Sequence, residues 1–139
     1  MKAKLFAPIL GAVVCLAVLA GCQTGPKTPP PPKSTTSIEI KTDNRAPSIS
    51  ISVNTAIRIV LPGPIGGPDY RWVIVSNNSR VLHQTTDVEP ALGSAGSFSV
   101  TFHALYAGRS IVRFAAIKSG ALESSPDDLY QVTVTARGD

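Results

Sequence analysis

Gly93-Ser-Ala-Gly-Ser-Phe-Ser-Val-Thr-Phe-His-Ala-Leu-Tyr-Ala-Gly108 alternates strictly across its middle. Phe98, Val100, Phe102 and Ala104 fall on one side, and Ser97, Ser99, Thr101 and His103 on the other. A period of two belongs to a strand with one face in a core and one toward water. On that reading His103 occupies a water-facing slot. Gly93 and Gly96 precede the strand and Gly108 follows it, where the chain has to turn. Such a strand is not stable alone, so a second layer must cover Phe98, Val100 and Phe102.

The flanking sequence supplies that layer. Residues 37–42 (Ser-Ile-Glu-Ile-Lys-Thr) and 48–53 (Ser-Ile-Ser-Ile-Ser-Val) alternate, with a turn-like stretch between them. Asn54-Thr55 reads as a turn, and residues 56–61 as a more continuously apolar strand. Residues 62–69 are too rich in Pro and Gly to be anything but a loop. Strands follow at 70–75, 81–84, 110–116 and 129–135, with Trp72 the largest core candidate and Tyr130, Val132 and Val134 sharing one face. No stretch carries a long helical period. Short, evenly spaced strands punctuated by Gly, Pro and Asn predict an all-β domain over residues 37–139, a sandwich or barrel by pattern.

Residues 1–21 read as a targeting signal. Lys2 and Lys4 precede an apolar run from Leu5 to Ala20, which is shorter than the roughly 20 residues of a membrane span. Leu19-Ala20-Gly21-Cys22 resembles a bacterial lipobox, in which the Cys thiol takes a diacylglycerol, the chain is cut before it, and the new amino group is acylated. That resemblance implies lipidation at Cys22 and anchoring by several acyl chains. Gln23, in place of Asp, points to the outer membrane, with the domain facing the periplasm. Cys15 leaves with the signal and Cys22 carries lipid, so no disulfide is expected. Loss of Lys2 and Lys4 lowers the formal charge from +4 to +2, which gives no support to nucleic-acid binding. Residues 22–36, with Pro29 to Pro32 in polyproline II, form a tether expected to reach roughly 40 Å at about 3.1 Å per residue.

Catalytic and metal-binding patterns are absent from the sequence. His83 and His103, the two histidines, have no Cys or further His at ligand spacing. Ser94 and Ser97 lie among glycines without the Gly-x-Ser-x-Gly nucleophile pattern. Asp127-Asp128 follows Ser125-Pro126 and reads as a turn. No cofactor, metal or enzymatic activity is expected.

The loops carry more information. In order come Leu61-Pro-Gly-Pro-Ile-Gly-Gly-Pro-Asp-Tyr-Arg-Trp72, Gly93-Ser-Ala-Gly96, Phe102-His-Ala-Leu-Tyr-Ala-Gly108 and Tyr130-Gln-Val-Thr-Val-Thr135. This order resembles the chagasin-type inhibitors of papain-like cysteine peptidases. Their pattern runs Asn-Pro-Thr-Thr-Gly-Tyr-x-Trp, a Gly-rich loop, Phe-x-Ala-Leu-x-x-Gly, an Arg-Pro-Trp/Phe loop and Tyr-x-Val-x-Val. Tyr70, Trp72, Phe102, Ala104, Leu105, Gly108, Tyr130, Val132 and Val134 match the scaffold positions. The first loop departs, with Pro64-Ile-Gly-Gly-Pro-Asp69 where the family has Asn-Pro-Thr-Thr-Gly. The third departs too, since Ile117-Lys-Ser-Gly-Ala-Leu122 has no Arg-Pro-Trp. The resemblance implies an immunoglobulin-like antiparallel β-sandwich of about seven strands. It further implies that Pro64, Ile65, Gly66, Gly67, Gly93, Ser94, Ala95, Gly96, Lys118, Ser119 and Gly120 face a cysteine peptidase and occlude its cleft without a covalent step. The alternative is an envelope adhesion or assembly module on the same fold that binds another envelope protein and does not inhibit.

Overall fold

The computed structural model describes residues 28–64, 66–93, 95–121 and 128–138. Among the described residues nine strands run in chain order: β1 (Ser34–Glu39), β2 (Ser48–Ser52), β3 (Thr55–Leu61), β4 (Tyr70–Ser76), β5 (Leu82–Gln84), β6 (Glu89–Pro90), β7 (Phe98–Ala104), β8 (Gly108–Lys118) and β9 (Asp128–Arg137). They form two sheets in a sandwich-like arrangement. One has the order β1-β3-β7-β5, with β6 also paired to β7, and the other the order β2-β9-β8-β4. The all-β architecture expected from the alternation is what the described residues form, and of the sandwich and barrel that the pattern allowed it is the sandwich.

Strand β7 is central in its sheet. Ile57, Ile59 and Leu61 of β3 lie opposite Phe102, Val100 and Phe98. All but the half-buried Phe98 are fully buried. From the other layer Trp72, Val112, Phe114, Tyr130, Val132 and Val134 complete one apolar cluster. At about 25 cal/mol per Å² of apolar surface, this burial is the domain's main stabilising term.

Two strand pairs run parallel, β1 with β3 and β2 with β9, so the sheets are mixed where an antiparallel sandwich was expected. Alternation reports which face a residue occupies, and strand direction is set instead by the crossovers. The chain leaves β1 in one sheet, joins β2 in the other, and returns for β3 through Val53-Asn54. Asn54 takes a left-handed φ of 65°, which Asn tolerates. It is fixed by its N–H donating to Ala104 O at 2.8 Å, while Val53 N–H donates to Arg137 O at 2.8 Å.

Two further boundaries differ from the sequence reading. Strand β1 begins at Ser34, so its first three residues come from the stretch assigned to the tether. Pairing with Thr55, Ala56 and Ile57 supplies backbone partners that the side-chain pattern of Ser34-Thr-Thr36 does not advertise. His103, expected toward water, is 4 % exposed. It stands in register between Ala56 of β3 and His83 of β5, and its Nε2 is buried with no hydrogen-bond partner.

Side chains mend the ladder where β5 gives way to β6. Thr85 N–H donates to Thr101 O at 2.9 Å, and Thr101 N–H in turn donates to Thr86 Oγ1 at 2.9 Å. Pro90, with no N–H to offer, sits on this edge as expected. At the β4–β5 turn, Ser110 Oγ donates to Asn77 Oδ1 at 2.9 Å and accepts from Asn78 N–H at 3.0 Å, and Asn77 Nδ2 donates to Leu82 O at 2.8 Å. Ser110 is buried, so Ser110→Ala strands two polar groups and is expected to cost about 1–3 kcal/mol in denaturant unfolding. An unchanged midpoint would show that the turn holds without this bond.

Candidate functional site

Three connections meet at one end of the sandwich. Residues 62–69 join β3 to β4 and therefore cross from one sheet to the other. Residues 91–97 join β6 to β7, and the β8–β9 connection starts at residue 119. The Leu61–Phe98 pair ends one sheet and the Tyr70–Lys118 pair ends the other, and the crossing loop brings these two ends together.

The first loop is built from short turns. Gly67 N–H donates to Pro64 O and Tyr70 N–H to Gly67 O, each at 3.1 Å. Gly67 adopts φ +88°, a conformation that residues with a Cβ rarely take. The loop is tied to the core by Trp72, whose Nε1–H donates to Pro62 O at 2.8 Å. The Trp72 ring lies 5.1 Å from that of Tyr130, over which the Arg45 guanidinium sits at 5.1 Å. The side chain that packs the core thus also sets the root of the loop.

The second loop closes through Ala91 N–H donating to Ser97 O at 2.8 Å. It meets the first loop backbone to backbone, since a Cβ on Gly63 would come within 2.7 Å of Gly96 O. Between them lies a groove of about 330 Å³ lined by Gly63, Pro64, Gly67, Pro68, Tyr70, Gly96 and Phe98. The third loop is docked by Ser119 N–H donating to Asp69 O at 2.8 Å, and turns at Gly120 as Ala121 N–H donates to Lys118 O at 2.9 Å.

Of the residues expected to face a partner, Gly66, Gly93, Ala95, Gly96, Lys118, Ser119 and Gly120 are exposed at this end, and Pro64 and Gly67 are half-buried. Ile65, Ser94 and Cys22 lie outside the described residues. The sequence reading missed Leu92, which is 92 % exposed on the second loop. Its signal was a large apolar residue directly before a glycine, outside any alternating run. Tyr70, matched as a scaffold aromatic, is only half-buried, and a Cβ on Gly66 would fall against its ring. Among the described residues no three His, Cys, Asp or Glu side chains gather closely enough to hold a metal. This end can offer backbone, small side chains, the exposed Lys118 and Asp69, and two apolar edges, Leu92 and the groove, for contact.

No protein-family model and no curated protein matches the sequence. Among solved structures, the cysteine protease inhibitor EhICP2 from Entamoeba histolytica superposes with a TM-score of 0.60 at 16 % identity, covering 76 % of this chain and 99 % of that one. Amebosin superposes with a TM-score of 0.53 at 18 % identity, again covering 76 % and 99 %. A whole domain is therefore shared, and at these identities the likeness is one of fold. The immunoglobulin-like sandwich implied by the resemblance to chagasin-type inhibitors is the fold this chain adopts.

Proposed function

We propose that this chain is a lipid-anchored, non-enzymatic inhibitor of papain-like cysteine peptidases, acting from the bacterial envelope. The observation that carries the reading is the convergence of the loops at 62–69, 91–97 and 119–121, joined by the Gly63–Gly96 approach and the Ser119–Asp69 hydrogen bond. They cap a fold shared with a cysteine protease inhibitor. Glycines at the tips let backbone approach the walls of a narrow cleft. The hydrogen bonds at the loop roots limit the entropy lost on binding. Occlusion requires no proton transfer or nucleophile, so the loop end needs no catalytic group to inhibit.

Alkylation of the peptidase thiol tests occupancy of the cleft. Bound chain is expected to slow iodoacetamide modification of papain in proportion to the fraction of papain complexed. An unchanged rate at saturating chain would exclude occlusion. The second reading, a non-inhibitory envelope-binding module, draws on the third loop, whose described residues Ser119-Gly120-Ala121 offer neither aromatic nor Arg. Those residue types anchor many interfaces.

Membrane attachment depends on Cys22. Cys22→Ser is expected to abolish lipidation and leave unprocessed precursor, seen as slower gel migration and no incorporated acyl label. Normal acylation of the variant would refute the assignment.

A further inference from the structure

The end of the sandwich opposite the loops is formed by residues 28–34, 52–55, 76–82, 104–109 and 136–138, as the strand registers require. Among the described residues there, Lys33, Arg80, Arg109 and Arg137 are cationic and no Asp or Glu occurs. All four are exposed. The described acidic residues Glu39, Asp43, Asp69, Asp87, Glu89 and Asp128 lie toward the loop end or along the sides. Arg109 and Arg137 share the outer face of their sheet, since the inward positions beside them are Ser110 and Ala136. Tyr106, 59 % exposed, projects from the β7–β8 turn with the Arg80 guanidinium 5.9 Å from its ring centroid. In sequence, Lys27 precedes this end and Asp139 follows it, both outside the described residues.

The chain also enters here. Lys33 N–H donates to Asn54 O at 2.7 Å. Thr28, Pro29 and Pro30 line a groove together with Asn54, Leu105 and Tyr106. Thr28, Pro29 and Pro30 thus border the domain's own surface, and chain geometry allows at most about 20 Å between Cys22 and Thr28. The tether expected from composition is about twice that. With Cys22 anchored, so short a leash keeps this end nearer the anchoring surface than the loop end.

We infer that this end is a docking face for an anionic phospholipid surface, with Lys33, Arg80, Arg109 and Arg137 meeting headgroup phosphates and Tyr106 at the headgroup level. The orientation part of the inference rests on the anchor at Cys22. Aromatic rings with one polar edge favour the membrane interface, and each Lys or Arg near an anionic surface favours contact by about five-fold. The seven residues of β3 run away from this face, which holds the loops about 20 Å farther out. The loop end then points into solution, where a peptidase can reach it.

The test uses the lipidated protein in phosphatidylcholine vesicles with or without phosphatidylglycerol, carrying one fluorophore on Ser79→Cys or on Ala95→Cys. The quencher is a lipid with a nitroxide on its headgroup. Quenching at position 79 is expected to rise with phosphatidylglycerol and fall again in high salt, while position 95 stays unquenched throughout. The triple variant R80E, R109E and R137E is expected to lose the phosphatidylglycerol response at position 79. Should it unfold, the milder R80Q, R109Q and R137Q set serves the same purpose. Equal quenching at 79 in both vesicle types, or quenching at 95, overturns the inference. Flotation separates the two layers of the proposal. Protein that floats with phosphatidylcholine alone supports the anchor whatever the quenching shows. Protein that floats only with phosphatidylglycerol supports the face without the anchor, and protein that floats with neither overturns both.

Discussion

Replacing Trp72 by alanine is expected to lower the unfolding free energy by about 3–5 kcal/mol, the range for removing a buried indole. The ring is 4 % exposed, lies tilted beside Tyr130 and stands opposite Ala116 of β8, whose methyl is too small to fill the space it leaves. The same substitution removes the Nε1–H bond to Pro62 O, and Pro62 opens the first loop. Binding at the loop end should therefore weaken even at temperatures where the variant remains folded. Trp72→Phe separates the two effects. It keeps most of the packing and loses the bond, so it should cost about 1–3 kcal/mol of stability while still loosening the loop. A loss under about 1 kcal/mol for the alanine variant would mean the ring is not part of the core.

Ala95→Arg is expected to weaken peptidase inhibition by at least about a hundred-fold, roughly 3 kcal/mol, with an unchanged unfolding midpoint. Ala95 is exposed at the tip of the second loop, between Gly93 at φ 81° and Gly96 at φ 76°. It already carries a Cβ, so a longer side chain adds bulk and charge without backbone strain. Gly66 is a poorer place for the same test, because its first added carbon would displace the Tyr70 ring. If Ala95→Arg inhibits as well as the parent, the second loop lies outside the contact.

Much of the fold was legible because alternation reports burial directly. Phe98, Val100 and Phe102, and Tyr130, Val132 and Val134, identified their inward faces, and turn residues located most connections. Strand direction was not legible. Ile49 and Ile51 look the same whether β2 runs parallel or antiparallel to β9, and only the crossovers decide it. Nor was the start of β1, because Ser34-Thr-Thr36 joins the sheet through backbone bonds that its polar side chains do not announce. His103 misled for a related reason. Its slot in the alternation faces outward, but β7 is flanked on both sides, and neighbouring strands bury the ring.

The loop end was legible as three breaker-rich segments. Their meeting was not, since the approach of Gly63 to Gly96 O and the Ser119–Asp69 bond join residues far apart in sequence. Leu92 escaped notice because an apolar residue within a loop gives no periodic signal. The charge asymmetry between the two ends is likewise invisible in a formal charge of +4. It emerges only when Lys33, Arg80, Arg109 and Arg137 are gathered at one end by the topology.

The decisive measurement is a titration of papain activity on a small peptide substrate with the folded, signal-free protein. Reversible inhibition that substrate competes away and that saturates at one chain per active site is the expected result. Full papain activity at micromolar concentrations of correctly folded protein would contradict the inhibitor function and leave the sandwich as a binding module for another envelope partner.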